Sequence, residues 1–158
     1  MSLLLHSPAF TSGKRVPKRH TGDGEDLSPP LTWTGVPTAA QELALIADDP
    51  DAPTAEPWIH WVIYKIPVAT EGIVEGVPPV AQPRFPATAI QGTNSWGSVG
   101  YRGPAPPRGH GVHRYFFKLY ALDRCLDLPD GLDKSGLLER MEGHIVAHCE
   151  LMGTYERS

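Results

Sequence analysis

One aspartate, two histidines and one tyrosine stand where the sequence predicts the ends of β-strands. Asp49 ends one apolar run, His60 comes near the start of the next, and His113 and Tyr115 begin a third. An imidazole can donate a hydrogen bond to a phosphate or carboxylate oxygen, and a neighbouring carboxylate fixes its tautomer or favours its charged form. With the N–H groups of a glycine-containing loop, these side chains could form a small pocket for an anion.

Three apolar runs must position these side chains. Each run is rich in β-branched and aromatic residues, which is typical of strands that are covered on both faces. The runs are Leu43–Ala47, Trp58–Ile66 and His113–Leu122. Antiparallel pairing can bring the relevant strand ends to one edge of a sheet. Strict alternation along the second run predicts one shared face for Trp58, His60, Val62, Tyr64 and Ile66.

Stiff segments flank two of the candidate residues. Pro50 restricts Asp49 to an extended backbone, and the three carboxylates of Asp48, Asp49 and Asp51 repel one another unless donors or cations compensate them. Asp48 and Asp51 could equally cap turns. The segment Gly103–Gly111, called here the pocket loop, is rich in glycine and proline and cannot continue a helix or a central strand. We therefore expect His113 to follow a rigid loop.

Composition indicates one β-rich domain over residues 1–158. Hydrophobic residues make up 41% and charged residues 20%, and 17 prolines and 16 glycines are scattered between apolar runs without a period. The net charge of −4 gives no reason to expect nucleic-acid or anionic-membrane binding. The apolar run Leu3–Leu5 is too short for a signal peptide, and no span is long enough to cross a membrane, so we expect a cytoplasmic protein.

Further elements follow from the same patterns. Additional strands are predicted at Leu3–Phe10, Leu31–Trp33 and Ile145–Met152. The one predicted helix is Asp133–Glu142, with Asp133 as its N-cap and Gly143 as its stop. Cys125 and Cys149 have no zinc or redox spacing and are expected to be free thiols. No cofactor and no metal site is expected.

The segments DDPDAP, WIHW and NSWGSVGYRGPAPPRGHGVHRY resemble the motifs of the phosphatidylethanolamine-binding protein family, in the same order. That family includes animal Raf kinase inhibitor proteins, plant flowering regulators and small bacterial and archaeal members. SPPLTW, LYALD and GTYER resemble its bacterial branch, so the resemblance runs from about Leu3 to Arg157. It implies an all-β fold, an antiparallel Greek-key β-sandwich with one short helix in the C-terminal half and long Pro/Gly-rich loops. It also implies an anion pocket at one end.

The resemblance assigns the pocket residue by residue. Asp49 falls on the pocket's aspartate, Trp58 and His60 on its Trp-x-His motif, and His113 and Tyr115 on its His-Arg-Tyr motif. The remaining implied ligand-binding residues lie in the pocket loop: Ala105, Pro106 and Pro107.

Other features of the resemblance concern the surroundings of the pocket. Animal members have a glycine in place of Ala105, so a narrower pocket is expected. They also have a further C-terminal segment over the site, and this chain ends at Ser158, so lipid-sized affinity and kinase binding are not carried over. Relatives without a proline at position 57 resemble one another in a cis peptide there, from which we expect Glu56–Pro57 to be cis and to set the direction of His60.

Three function classes stay open. The first is a non-enzymatic protein that binds a phosphate-type small anion or a phospholipid head group and regulates protein partners such as kinases or proteases; a homodimer is plausible. The second is a serine protease inhibitor without a lipid role, which would use a stiff exposed loop at Arg102–Arg108 or Pro78–Pro86. The third is a metal-dependent or other hydrolase. The sequence contains no HxH, HExxH or Gly-x-Ser-x-Gly motif, and His110 would face away from His113 if the strand began that early.

Overall fold

The computed structural model describes residues 2–158. In chain order its strands and its α-helix are β1 (Leu4–His6), β2 (Leu31–Thr34), β3 (Glu42–Asp49), β4 (Trp58–Pro67), β5 (Gly72–Ile73), β6 (Ile90–Gln91), β7 (His113–Leu122), α1 (Lys134–Met141) and β8 (Ile145–Tyr155). A short 3-10 helix spans Lys18–His20. The strands form two antiparallel sheets, ordered β1-β2-β5 and β6-β4-β3-β7-β8. The predicted all-β sandwich with one short helix is therefore confirmed.

The larger sheet has the strand order of a Greek key. Strand β4 lies beside β3 and β6 beside β4, and β7 then returns along a long connection to pair with the other edge of β3. This gives the spatial order 4-1-2-3 that defines the motif. Strand β7 has the predicted bounds, whereas β1 is shorter than predicted and β8 continues to Tyr155.

The larger sheet is covered on both faces, as the three apolar runs predict. Its inner face packs on the smaller sheet through a core that includes Leu45, Trp61 and Phe117. Its outer face carries Ile46 and Tyr64 and is covered by α1 and the segment before it. All eight residues of β3 are buried, so β3 is held from both sides and its end at Asp49 has little freedom to move.

Helix α1 begins and ends as its sequence predicts. The Asp133 side chain accepts a hydrogen bond from the N–H of Gly136 (2.8 Å), and Gly143 adopts a φ of +82° just after the helix. Leu137 and Met141 are buried against the sheet. None of the helices in residues 2–158 is long and apolar enough to span a bilayer.

The predicted alternation along β4 is wrong because the strand contains a bulge. Ala47 pairs with Trp61 and Asp48 with Ile59, which leaves His60 as an extra residue between two ladder positions. The faces are exchanged from this bulge to a second register shift, which lies opposite Leu43–Leu45. Val62 and Tyr64 consequently lie in the outer core, whereas Trp61 and Ile63 lie between the sheets.

The prediction of a cis bond at Glu56–Pro57 is also wrong. Within residues 2–158 the one cis peptide bond joins Phe85 to Pro86. The connection from β3 to β4 runs over Pro50–Pro57 as a series of turns and bends, so the change of direction is spread over several residues and needs no single tight corner.

Both cysteines are free, as predicted. Cys125 is exposed and Cys149 is half-buried. Burial is the main cause, and the negative charge of the neighbouring Glu150 the lesser cause, of a Cys149 thiol pKa raised to about 11. This thiol therefore stays protonated and unreactive near neutral pH.

Candidate functional site

A cavity of about 230 Å³ opens at the sheet edge where β3 ends and β4 and β7 begin. The register brings these ends together, because Asp49 pairs with Trp58, and Asp48 pairs with Phe116 near the start of β7. All eight residues singled out from the sequence line this cavity: Asp49, Trp58, His60, Ala105, Pro106, Pro107, His113 and Tyr115. Four further residues also line it, and the sequence did not single them out: Ala52, Pro53, Thr54 and Trp96.

Asp49 and His113 form a buried pair at the base of the cavity. The Nδ1 atom of His113 lies 2.7 Å from Oδ2 of Asp49, and the two residues are 1% and 3% exposed. The other carboxylate oxygen of Asp49 accepts a hydrogen bond from the N–H of Asp51 (2.7 Å). A carboxylate accepts hydrogen bonds only, so His113 carries a hydrogen on Nδ1 and directs Nε2 away from Asp49.

His110 contacts the same histidine from the pocket loop. Its Nδ1 atom lies 2.6 Å from Nε2 of His113, which completes a chain of hydrogen bonds from Asp49 through His113 to His110. The expectation that His110 and His113 face apart required the strand to begin at His110. Strand β7 begins at His113 instead, and the preceding loop is free to fold back.

His60 is held from behind by the backbone. Its Nδ1 atom lies 2.6 Å from the carbonyl oxygen of Arg102. A carbonyl oxygen can only accept, so the hydrogen is on Nδ1 and Nε2 has a free lone pair. Burial lowers the pKa of His60 to about 4, so the ring is neutral near pH 7. Its ring makes edge contacts with Trp96 and Tyr115, at centroid distances of 5.0 and 5.2 Å.

The Tyr115 hydroxyl is buried and makes no hydrogen bond of standard geometry within residues 2–158, although the Asp49 carboxylate lies close to it. Burial, together with the Asp49 carboxylate, raises its pKa far above the ordinary value, so it stays an O–H donor at every accessible pH. An unpartnered buried hydroxyl costs about 1–3 kcal/mol of desolvation. A ligand oxygen in the cavity would supply the missing partner.

The aromatic side of the cavity comes from the loop that follows β6 and contains Trp96. Trp96 meets Trp58 edge-on at 5.5 Å. Asn94 fixes the loop, because its Oδ1 accepts from the N–H groups of Trp96 and Ser98 and its Nδ2 donates to Gly100. A tryptophan between an asparagine and a glycine in such a loop is the signal that could have indicated Trp96.

The carboxylates around Asp49 are compensated, as expected. Asp48 accepts from Lys134 (2.7 Å) and Lys118 (3.2 Å) on the outer face of the sheet. Asp51 forms a two-pronged ion pair with Arg114, which lowers the pKa of the Asp51 carboxyl. These cations are bound outside the cavity, and no lysine or arginine lines it.

A larger groove of about 570 Å³ lies between Glu56–Ile59 and the start of α1. Two of its polar side chains are already engaged, since Asp133 caps α1 and the Ser95 hydroxyl accepts from the N–H of Ile59. The groove is lined by no histidine or tyrosine, so it offers a ligand fewer buried hydrogen-bonding side chains than the smaller cavity does. Within residues 2–158 no cluster of three or more His, Cys, Asp or Glu residues is placed to bind a metal ion.

Known proteins with the same sequence pattern and fold are found in archaea and bacteria. A family model described as phosphatidylethanolamine-binding protein matches residues 6–156. A UPF0098 protein of Methanothermobacter thermautotrophicus is 52% identical over 157 residues, which cover 99% of this chain and 99% of the relative.

Two solved bacterial structures agree with the observed fold. A putative phosphatidylethanolamine-binding protein homologue from Chlamydia trachomatis, CT736, is 40% identical, with a TM-score of 0.89 and 99% of each chain covered. YbcL of E. coli, described as a new member of the mammalian family, is 29% identical, with a TM-score of 0.93 and 100% of each chain covered. The chain belongs to the phosphatidylethanolamine-binding protein family.

Proposed function

We propose that this protein binds a small phosphate-type anion in the cavity between His60 and His113, without catalysing its conversion. The observation that carries the proposal is the buried Tyr115 hydroxyl, which lacks a partner in a cavity lined by two buried histidines. Buried polar groups are normally hydrogen-bonded, and exceptions are found at functional sites. Family membership supports the same site, as do the eight cavity residues that fall on segments resembling its motifs.

The size of the cavity favours a small ligand. A volume of about 230 Å³ is below the usual range for drug-sized ligands, roughly 300–1,000 Å³. A phosphoryl group with a short substituent fits this volume, whereas acyl chains would have to lie outside it. Ala105 lines this cavity and contributes a methyl group that a glycine would lack.

We further propose that the protein regulates partners such as kinases or proteases. It would do so as a cytoplasmic protein of one domain, either a monomer or a homodimer. The alternative, inhibition of a serine protease, would use an exposed loop. The segment Pro78–Pro86 supports this alternative, because it exposes two large apolar side chains that could enter a protease pocket. Phe85 is 60% exposed and Val80 is 51% exposed.

Calorimetric titration with inorganic phosphate tests the anion site. His60→Ala should weaken binding by about 10- to 150-fold, because it removes a hydrogen bond of roughly 1.5–3 kcal/mol to a charged ligand. His113→Ala should also weaken binding, because it removes the ring that joins Asp49 to His110 in the wall of the cavity. His148→Ala is the matched control, because His148 is exposed on β8 and lies outside the cavity. Tyr115→Phe should also weaken binding without lowering the free energy of unfolding.

Equal affinity for phosphate in wild type, His60→Ala, His113→Ala and Tyr115→Phe would contradict the site. So would a Tyr115→Phe variant that loses stability and keeps its affinity, because the hydroxyl would then have a structural partner.

A further inference from the structure

The cavity presents hydrogen-bond acceptors in positions where an anion site usually presents donors. The Nε2 atom of His60 has a lone pair, because the Arg102 carbonyl fixes the hydrogen on Nδ1. His60 lines the cavity and is 4% exposed. No hydrogen bond within residues 2–158 engages Nε2. The Asp49 carboxylate, which also lines the cavity, is a second acceptor.

The surroundings of His60 keep its ring neutral, with a lone pair on Nε2. Asp49 on β3 and the carbonyl groups of Arg102 and Gly103 favour the charged ring, but burial opposes it more strongly and holds the pKa of His60 at about 4. Strand β7 contributes Tyr115, whose hydroxyl is a donor. The loop after β6 contributes the uncharged ring of Trp96. The His60 ring is consequently an acceptor throughout the neutral range.

No lysine or arginine in the cavity lining offsets these acceptors. Arg102 lies with its guanidinium 4.7 Å from the Trp96 ring centroid, outside the cavity lining. Arg157 is bound to Asp23 at 2.7 Å. The other imidazoles are already engaged, since His113 is paired with both Asp49 and His110. A ligand of low charge is therefore favoured over a dianion.

An oxygen that meets the lone pair of His60 must carry a hydrogen, because two acceptors repel and a buried acceptor without a donor is costly. A phosphomonoester has such a hydrogen in its singly charged form, which it loses with a pKa of about 6. Inorganic phosphate keeps one P–O–H group at neutral pH. The diester of an intact phospholipid and the sulfate ion have none.

We propose that the pocket selects a phosphoryl group with a hydrogen on one oxygen, donated to His60 Nε2, and that it accepts a phosphomonoester or inorganic phosphate in preference to the diester of a phospholipid head group. The Tyr115 hydroxyl donates to a second oxygen of the same group. This inference rests on the proposed function and identifies the ligand class of that site.

Two charge-matched pairs of small anions test the inference by calorimetry at constant ionic strength. At pH 5, methyl phosphate and dimethyl phosphate both carry about one negative charge, and only methyl phosphate has a P–O–H group. At pH 8, inorganic phosphate and sulfate are both close to doubly charged, and only phosphate has the hydrogen. In each pair the hydrogen-bearing anion should bind at least about tenfold more tightly.

The pH series supplies a second readout. The affinity for methyl phosphate should fall about tenfold per pH unit above pH 6, as its singly charged form disappears. Dimethyl phosphate does not titrate, so its own pH series measures the contribution of the protein to the pH dependence. His60→Gln places an amide N–H donor where Nε2 was, and it should reduce both preferences.

Dimethyl phosphate binding as tightly as methyl phosphate at pH 5, or sulfate as tightly as phosphate at pH 8, would overturn the inference while leaving an anion site in place. Methyl phosphate affinity that rises between pH 6 and pH 8 would overturn it as well. Absence of binding by both methyl phosphate and inorganic phosphate at every pH would instead overturn the proposed function. The wild-type comparisons decide these outcomes even if the variant fails to fold.

Discussion

Each ionisable side chain in the cavity is oriented by a bond made on its far side. Asp49 is fixed by the N–H of Asp51, His113 by Asp49, and His60 by the carbonyl of Arg102. Such anchoring fixes the tautomer and direction of each ring before a ligand arrives, which reduces the entropy lost on binding. Tyr115 is the exception, because its hydroxyl makes no such bond; we propose that a ligand supplies the partner.

The buried His60 should make stability depend on pH. Burial lowers its pKa to about 4, against 6.5 for an ordinary histidine. Between these values the unfolded chain binds a proton that the folded protein does not, so stability is complete above pH 6.5 and is lost as pH falls toward 4. Wild type should lose about 2 kcal/mol more than His60→Gln between pH 7 and pH 5.

Urea unfolding of both proteins at pH 7, 6 and 5 measures this difference. His148→Gln is the control, because that histidine is exposed, and it should follow the wild-type curve. Parallel curves for wild type and His60→Gln would show that His60 is charged or accessible in the folded protein.

At the scale of elements, the site depends on loops that brace the start of β4. The N–H of Ile59 donates to Ser95 and the carbonyl of His60 accepts from the N–H of Arg102. The pocket loop is tied in turn to the N-terminal region, where Asp26 accepts from the N–H of Gly103 (2.7 Å). The bulge that aims His60 is therefore stabilised by partners far away in sequence.

Gly103→Ala should disturb this bracing. A Cβ at Gly103 would clash with the carbonyl oxygen of His20 and crowd Oδ1 of Asp26, so the loop must shift. We expect a loss of about 1–3 kcal/mol in unfolding free energy, as in other overpacked sites, and weaker phosphate binding, because the shift moves the Arg102 carbonyl that orients His60.

Gly109→Ala is the matched control in the same loop. Its φ is +72° and nothing lies within 4 Å of the new Cβ, so it should cost about 1–2 kcal/mol of backbone strain and leave phosphate affinity unchanged. Loss of affinity in Gly109→Ala and not in Gly103→Ala would contradict the proposed role of the bracing.

At the scale of the molecule, the motif resemblance predicts the sandwich, and the apolar runs predict that the strand ends can meet. Continuous apolar runs identify β3, β4 and β7, and β7 spans the predicted residues because a proline- and glycine-rich loop precedes it and turn residues follow it. The motif resemblance adds Ala105, Pro106 and Pro107, which do line the cavity. Hydrophobic periodicity alone could not have predicted that the pocket loop lines the cavity, because the loop has no periodic pattern.

Features that depend on contacts between residues far apart in the chain could not be predicted from the sequence. The bulge at His60 depends on Ser95 and Arg102, so counting alternate residues along β4 fails there. The contact between His110 and His113 depends on how the pocket loop folds back, which local propensity does not determine. The bond at Glu56–Pro57 is trans because the whole connection turns gradually.

The central claim is that a phosphate-type anion binds between His60 and His113, and a crystal structure grown with inorganic phosphate tests it most directly. We expect tetrahedral density in the cavity, with one oxygen within hydrogen-bond distance of the Tyr115 hydroxyl and another within hydrogen-bond distance of His60 Nε2. Well-resolved crystals that show only water in this cavity at saturating phosphate, or phosphate solely in the groove beside α1, would contradict the account.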